Sequence, residues 1–134
     1  MIASLPVNDL DFQGALILFF ALSIGHAIAD FPLQGEFLSR GKNRHMPPPP
    51  LADGGKSPKR LWMYLMSAHA LTHAGFVWLI SGSVLFAFAE FVIHWIVDSL
   101  KCERLTGFET DQWLHLATKA VYVALLWAGV VTVN

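Results

Sequence analysis

Leu61 to Ile80 reads LWMYLMSAHALTHAGFVWLI, and the reading of this stretch decides the fold. It holds no acidic residue, lysine or arginine, and matches the ~20 apolar residues needed to cross a hydrocarbon core of roughly 30 Å. Yet it carries two histidines, His69 and His73. A step of four puts both imidazoles on one helix face, about 6 Å apart along the axis. Ionisable groups at membrane depth are costly and mark sites. The stretch therefore reads as a membrane-spanning helix presenting a histidine pair.

The same step of four recurs on both sides. His26 and Asp30 close the apolar run Phe12 to Phe31, which includes ALILFFALSIGHAIADF. His94 and Asp98 close Ser83 to Leu100, SVLFAFAEFVIHWIVDSL. Asp111 and His115 open Trp113 to Val133, WLHLATKAVYVALLWAGVVTV. The composition agrees with a membrane protein. Hydrophobic residues make up 54% and charged ones only 14%, against the ~25% charged of soluble domains. The expected fold is an all-α integral membrane protein. It has a single domain (1–134) and four transmembrane helices, over about 12–31, 61–80, 83–100 and 113–133, in an antiparallel bundle.

Breakers punctuate this pattern. Pro32 biases Phe31 away from helix. Ser81-Gly82-Ser83 turns the chain between the second and third spans, and Thr106-Gly107 precedes the fourth. The acids Asp9 and Asp11 ahead of the first run, with no basic residue there, read as a retained helix rather than a secretory signal. The one long connection, 33–60, contains Pro47 to Pro50 and is expected to be extended and mobile in its middle. Gln34 to Arg44 within it is expected to form a short interfacial helix. Gly54-Gly55-Lys56-Ser57 mimics the tail of a phosphate-binding loop, but Pro50 replaces the required earlier glycine and no strand precedes it. That reading is rejected.

Basic residues orient the chain. Arg40, Lys42, Arg44, Lys56, Lys59 and Arg60 lie in the long loop, and Lys101 and Arg104 in the third connection. The positive-inside rule puts both connections in the cytoplasm and both termini outside, for a multi-pass protein of the bacterial inner membrane. Alternating helix directions then bring all four pairs into the cytoplasmic half. One depth fits less well: His73 lies roughly 20 Å along the helix from Arg60, past the midplane.

Imidazole and carboxylate together suit a divalent transition metal, zinc foremost, with iron or manganese as alternatives. The expected ligands are His26, Asp30, His69, His73, His94, Asp98, Asp111 and His115. Asp30, Asp98 and Asp111 can also orient ligands or act as the base. Glu90 extends the Glu90-His94-Asp98 face one turn deeper, and Lys119 lies one turn beyond His115. Glu90 is read as a ligand, a proton relay or a partner for His73, and Lys119 as a relay residue, a partner for Glu90, a group that holds a substrate anion, or a packed stem with its amine in a wet cavity. Trp62, Trp78, Trp95, Trp113 and Trp127 read as interfacial anchors. The single Cys102 excludes an internal disulfide framework and a CxxC site, and reads as an inert interfacial thiol. A net charge of -1 gives no basic surface for nucleic acid.

Four blocks carry a family resemblance: GHAIADFPLQ (Gly25 to Gln34), HALTH (His69 to His73), HWIVDSLK (His94 to Lys101) and TDQWLH (Thr110 to His115). In order and spacing they resemble the small bacterial membrane proteins catalogued as domain of unknown function 3307. The resemblance implies a polytopic inner-membrane protein. It adds Gln34, Lys101 and Gln112 to the functional set, and a hydrolase would use them to bind substrate, with Lys101 also contacting the reacting group. Glu90 and Lys119 lie outside the pattern, and the family brings no activity.

The functional expectation is a metal-dependent hydrolase acting from the cytoplasmic side on a lipid-like or membrane-borne substrate. The bilayer itself is a partner, and a homo-oligomer is allowed. The alternatives are a proton or divalent-cation transporter, a haem electron carrier and a structural scaffold. Transport demands polar groups in the outer halves of the spans, which are almost wholly apolar. Three aspartates beside the histidines disfavour haem.

Overall fold

The computed structural model describes residues 7–133, and among these the chain is all-helical, with no strand. Five helices follow one another: α1 (Phe12–Asp30), α2 (Gly35–Gly41), α3 (Leu61–Ser81), α4 (Val84–Cys102) and α5 (Phe108–Trp127). The four long helices form a ring in which α1 packs on α3 and α5, and α4 packs on α3 and α5. Residue pairs show that neighbours run antiparallel. His26 meets His73 while Gly25 faces Phe76 and Ile80. His94 meets His115 while Glu90 meets Lys119.

Helix ends follow local chemistry. The Asp11 carboxylate accepts from Gly14 N at 2.6 Å and starts α1. Ser83, counted with the third span from sequence, is instead the N-cap of α4, its Oγ accepting from Phe86 N at 3.2 Å. Gly82 closes α3 in the left-handed region at φ 73°, which lets α3 and α4 fold into a tight hairpin. Gly82→Ala is expected to cost about 1–2 kcal/mol, read as a lower unfolding temperature in detergent. Gly25 serves close approach: a Cβ there would lie 2.9 Å from Ile80 Cδ1 and 3.2 Å from Phe76 Cβ.

The fourth expected segment, 113–133, is corrected at both ends. Helix α5 begins at Phe108 and ends at Trp127. The acids Glu109 and Asp111 fall in its first turn, where the helix dipole favours them, so the apolar run starts later than the helix. Gly129 at φ 66° then breaks the chain. Asn8 binds both polar groups of the Val133 backbone at 2.7 Å and ties the two ends of the described chain together. The expected short helix at 34–44 is present as α2, over fewer residues.

Helices α1 and α3, of 19 and 21 residues, are long and apolar enough to cross a membrane. Helix α4 carries Glu90, Asp98 and Lys101, and α5 carries Glu109, Asp111 and Lys119, which lower their apolarity. Apart from Glu109, these charged groups point inward or toward the polar end of the bundle. The outward faces of all four long helices are apolar, with Phe20, Trp78, Phe88 and Val121 among the exposed residues.

The bundle divides into two halves. One end is a packed apolar core of Leu10, Ala15, Leu18, Leu22, Val77, Phe86, Tyr122, Val123 and Leu126. The other encloses buried histidines, carboxylates and lysines.

Candidate metal centre

The four pairs read from the sequence meet in that polar half. His26 and Asp30 arrive on the last turns of α1, His69 and His73 on α3, His94 and Asp98 on α4, and Asp111 and His115 on the first turns of α5. All eight side chains are buried. The rings of His73 and His94 stack with centroids 3.7 Å apart, and His94 stacks on His115 at 4.1 Å. His26 lies 5.0 Å from both His73 and His115. His73, past the midplane by simple depth along α3, is therefore level with the rest of the cluster.

Two separate donor sets emerge. In the first, one ligand atom each from Asp30, His69, His73 and His94 lies within 4.8 Å of the others. Asp30 Oδ1 is 3.2 Å from His69 Nε2 and 3.4 Å from His73 Nε2. These three atoms and His94 Nε2 are all buried and make no hydrogen bond. A buried polar atom without a partner costs about 1–3 kcal/mol, so four on one centre are a large unexplained cost unless something binds there. Three imidazole nitrogens and one carboxylate oxygen are a fitting set for a divalent transition metal.

The second set is Asp98, Asp111 and His115, again within 4.8 Å. His115 Nε2 lies 3.4 Å from Asp98 Oδ1 and 3.6 Å from Asp111 Oδ1. Glu90 joins a third grouping with His94 and His115, sharing one member with each of the others.

Surrounding groups hold these donors in place. The Glu90 carboxylate faces His94 Nδ1 at 3.3 Å, so Nδ1 carries the proton and Nε2 keeps its lone pair for a ligand. Lys119 Nζ in turn donates to Glu90 Oε1 at 2.5 Å, both side chains being buried. The relay residues of the sequence reading are thus a buried ion pair beneath His94. Glu90→Gln, made together with Lys119→Met so that no buried charge is left unpaired, keeps an acceptor for Nδ1–H but weakens it, and is expected to lower metal affinity about 10-fold, measured by competition with a chelating dye.

Gln112, expected to bind substrate, is occupied otherwise. Its Nε2 donates to Asp30 Oδ2 at 2.6 Å, and its Oε1 faces His26 Nε2 at 3.3 Å. This turns Asp30 Oδ1 toward His69 and His73. Gln34, also expected to bind substrate, donates from Nε2 to the Asp30 backbone carbonyl at 2.8 Å and caps the end of α1. His26, expected as a ligand, belongs to none of the three donor groups and stands beside them. Lys101 donates to Asp111 Oδ2 at 2.6 Å, and its side chain remains 25% exposed, at the open edge of the cluster.

One residue escaped the sequence reading. Lys42, counted there only as a basic loop residue, is 4% exposed and donates to Asp98 Oδ2 at 2.5 Å. It follows α2, whose final Gly41 is crowded by Leu65 and Pro49, so the proline-rich segment packs back on α3. No periodicity in the sequence signals this, because Lys42 and Asp98 are joined only through the fold.

Trp62 and Trp95, read as anchors from the sequence, lie together near the basic end of the bundle. Their rings face each other at 6.3 Å and, with Lys42, Arg44 and Met66, line a cavity of about 180 Å³ beside the carboxylates. At its rim Arg44 binds Glu103 at 2.7 Å and holds that carboxyl below the ordinary carboxylate range. No family model, no curated protein and no solved structure matches the chain.

Proposed function

We propose that the chain is a four-span protein of the bacterial inner membrane. On this reading it is a metal-dependent hydrolase that acts from the cytoplasmic side on a lipid-like substrate. The four unpartnered donor atoms of Asp30, His69, His73 and His94 carry this reading. Its membrane part rests on polarity: charged and imidazole groups lie inside, and large apolar side chains cover the outside of every long helix. A soluble bundle has the reverse pattern. The basic connections support a cytoplasm-facing site, and the four sequence blocks support membership of the family named above.

Bound there, a divalent ion supplies an acidified water and an electrophile suited to an ester, amide or phosphoester. The chain's own residues do the rest. Asp98 and Asp111 offer carboxylates that orient the ligands or, with a single ion bound, take a proton. Lys101, at the open edge, donates to an anionic head group or a developing oxyanion. The cavity between Trp62 and Trp95 has mainly apolar walls and a polar edge of Lys42, Arg44 and Glu103, which suits an amphiphile with a polar head.

The charged groups stop at Glu90 and Lys119, and beyond them the bundle is filled by a mainly apolar core with only the hydroxyls of Tyr122, Ser81 and Ser83 buried in it. A transport path would need polar groups or a gate through that end. The closed end favours catalysis over transport.

The test is elemental analysis of the purified full chain in detergent, followed by turnover of fluorogenic ester and phosphoester amphiphiles. The expected result is bound zinc, iron or manganese and hydrolysis abolished by a chelator. Protein that neither retains nor takes up any of these metals overturns the reading.

A further inference from the structure

We propose that the centre is dinuclear. A second divalent cation sits on Asp98, Asp111 and His115, and Asp98 bridges it to the ion on Asp30, His69, His73 and His94. This deepens the hydrolase reading and rests on the first ion being bound.

The two donor sets together offer seven residues, more than the four ligands of a tetrahedral site. Asp98 stands at the seam with its oxygens facing opposite ways. Its Oδ2 lies 3.4 Å from His69 Nε2 in the first set, and its Oδ1 lies 3.4 Å from His115 Nε2 in the second. The stacked rings of His94 and His115, 4.1 Å apart, place the two sets in adjacent layers. Paired ions that share a carboxylate lie roughly 3.5–4 Å apart, so they need donor sets in such adjacent layers.

Asp111 supplies an independent sign of a missing ligand. The residue is fully buried, and its Oδ1 has no hydrogen-bond partner while lying 3.6 Å from His115 Nε2. Its other oxygen accepts from Lys101. The lysines fit the arrangement. Each carboxylate oxygen has two lone pairs. Lys42 donates to Asp98 Oδ2, and Lys101 and Gln112 both donate to Asp111 Oδ2, which leaves Asp111 Oδ1 open for metal. Carboxylates that ligate metals are commonly held this way by donors behind them.

Charge also points to the ligand class. Asp30, Asp98 and Asp111 contribute three negative charges against the ammonium groups of Lys42 and Lys101, and Glu90 cancels Lys119. The sum is one negative charge, so one divalent ion turns the cluster weakly cationic and two turn it strongly cationic. A dinuclear centre therefore calls for an anion between or beside the ions, and phosphate esters meet that demand best.

Metal-depleted full chain in detergent micelles would be titrated with manganese(II) and followed by elemental analysis and electron paramagnetic resonance. Two ions per chain with an exchange-coupled signal are expected. Asp111→Asn, near-isosteric and still able to bind Lys101, is expected to fall to one ion with an uncoupled signal. His115→Gln should repeat that result by a chemically different route. Inorganic phosphate is expected to perturb the coupled signal of the wild type and not the signal of Asp111→Asn. One ion per wild-type chain, unchanged by Asp111→Asn, overturns the second site and leaves the hydrolase reading standing. No ion in the wild type overturns both. The wild-type count and coupling decide the matter even if a variant fails to fold.

Discussion

Purified His73→Gln is expected to bind divalent transition metal at least 100-fold more weakly than the wild type, with its metal-depleted form folded as well as before. Loss of groups that merely orient ligands already costs 10–100-fold, so loss of a ligand sets a larger effect. The folding half of the expectation comes from the same geometry. Neither ring nitrogen of His73 has a hydrogen-bond partner, so the metal-free chain gains nothing polar from it. Glutamine roughly keeps the volume, and its amide can turn toward Asp30. A packing histidine would give the opposite pattern: lower thermal stability of the metal-free chain and unchanged metal content. Isothermal titration with zinc, paired with thermal unfolding in detergent, separates the two.

Lys119→Met is expected to be the most destabilising single change, by about 3–5 kcal/mol. Lys119 and Glu90 are each 1% exposed, and their ion pair lies between the histidines and the apolar core. Removing the ammonium leaves a carboxylate with no counter-charge in a low-dielectric interior, where it must take up a proton or let the bundle open. The double variant Glu90→Gln, Lys119→Met removes both charges while leaving an acceptor for His94 Nδ1. It is expected to recover most of the loss, because replacing a buried pair by neutral groups is often close to neutral. Equal destabilisation of single and double variants, measured by thermal unfolding, would refute the account. It would mean that the fold needs the lysine stem rather than the charge.

Both expectations depend on features of different legibility. The spacing of His69 and His73, His94 and Asp98, and the other pairs is a local property. A helix rises 1.5 Å per residue and turns every 3.6, so four residues on is always the same face. The short connections from α3 to α4 and from α4 to α5 then force those helices to alternate, while the long connection after α1 leaves its direction to the membrane-crossing reading. The apolar exterior was legible for the same reason, since one period governs each helix. The boundaries of α5 were less so, because acids in a first turn lie outside an apolar run yet inside the helix.

The sequence by itself determined the helices, the faces their histidines and carboxylates occupy, and the end of the bundle where they gather. Tertiary structure alone decided which atoms are left over. Gln112 orients Asp30, Lys101 covers one oxygen of Asp111, Glu90 sets the tautomer of His94, and Lys42 returns from the proline-rich loop to Asp98. None of these pairings has a sequence period, because each is fixed by side chains that meet only after the helices pack. The open coordination directions are what remains when those bonds are made.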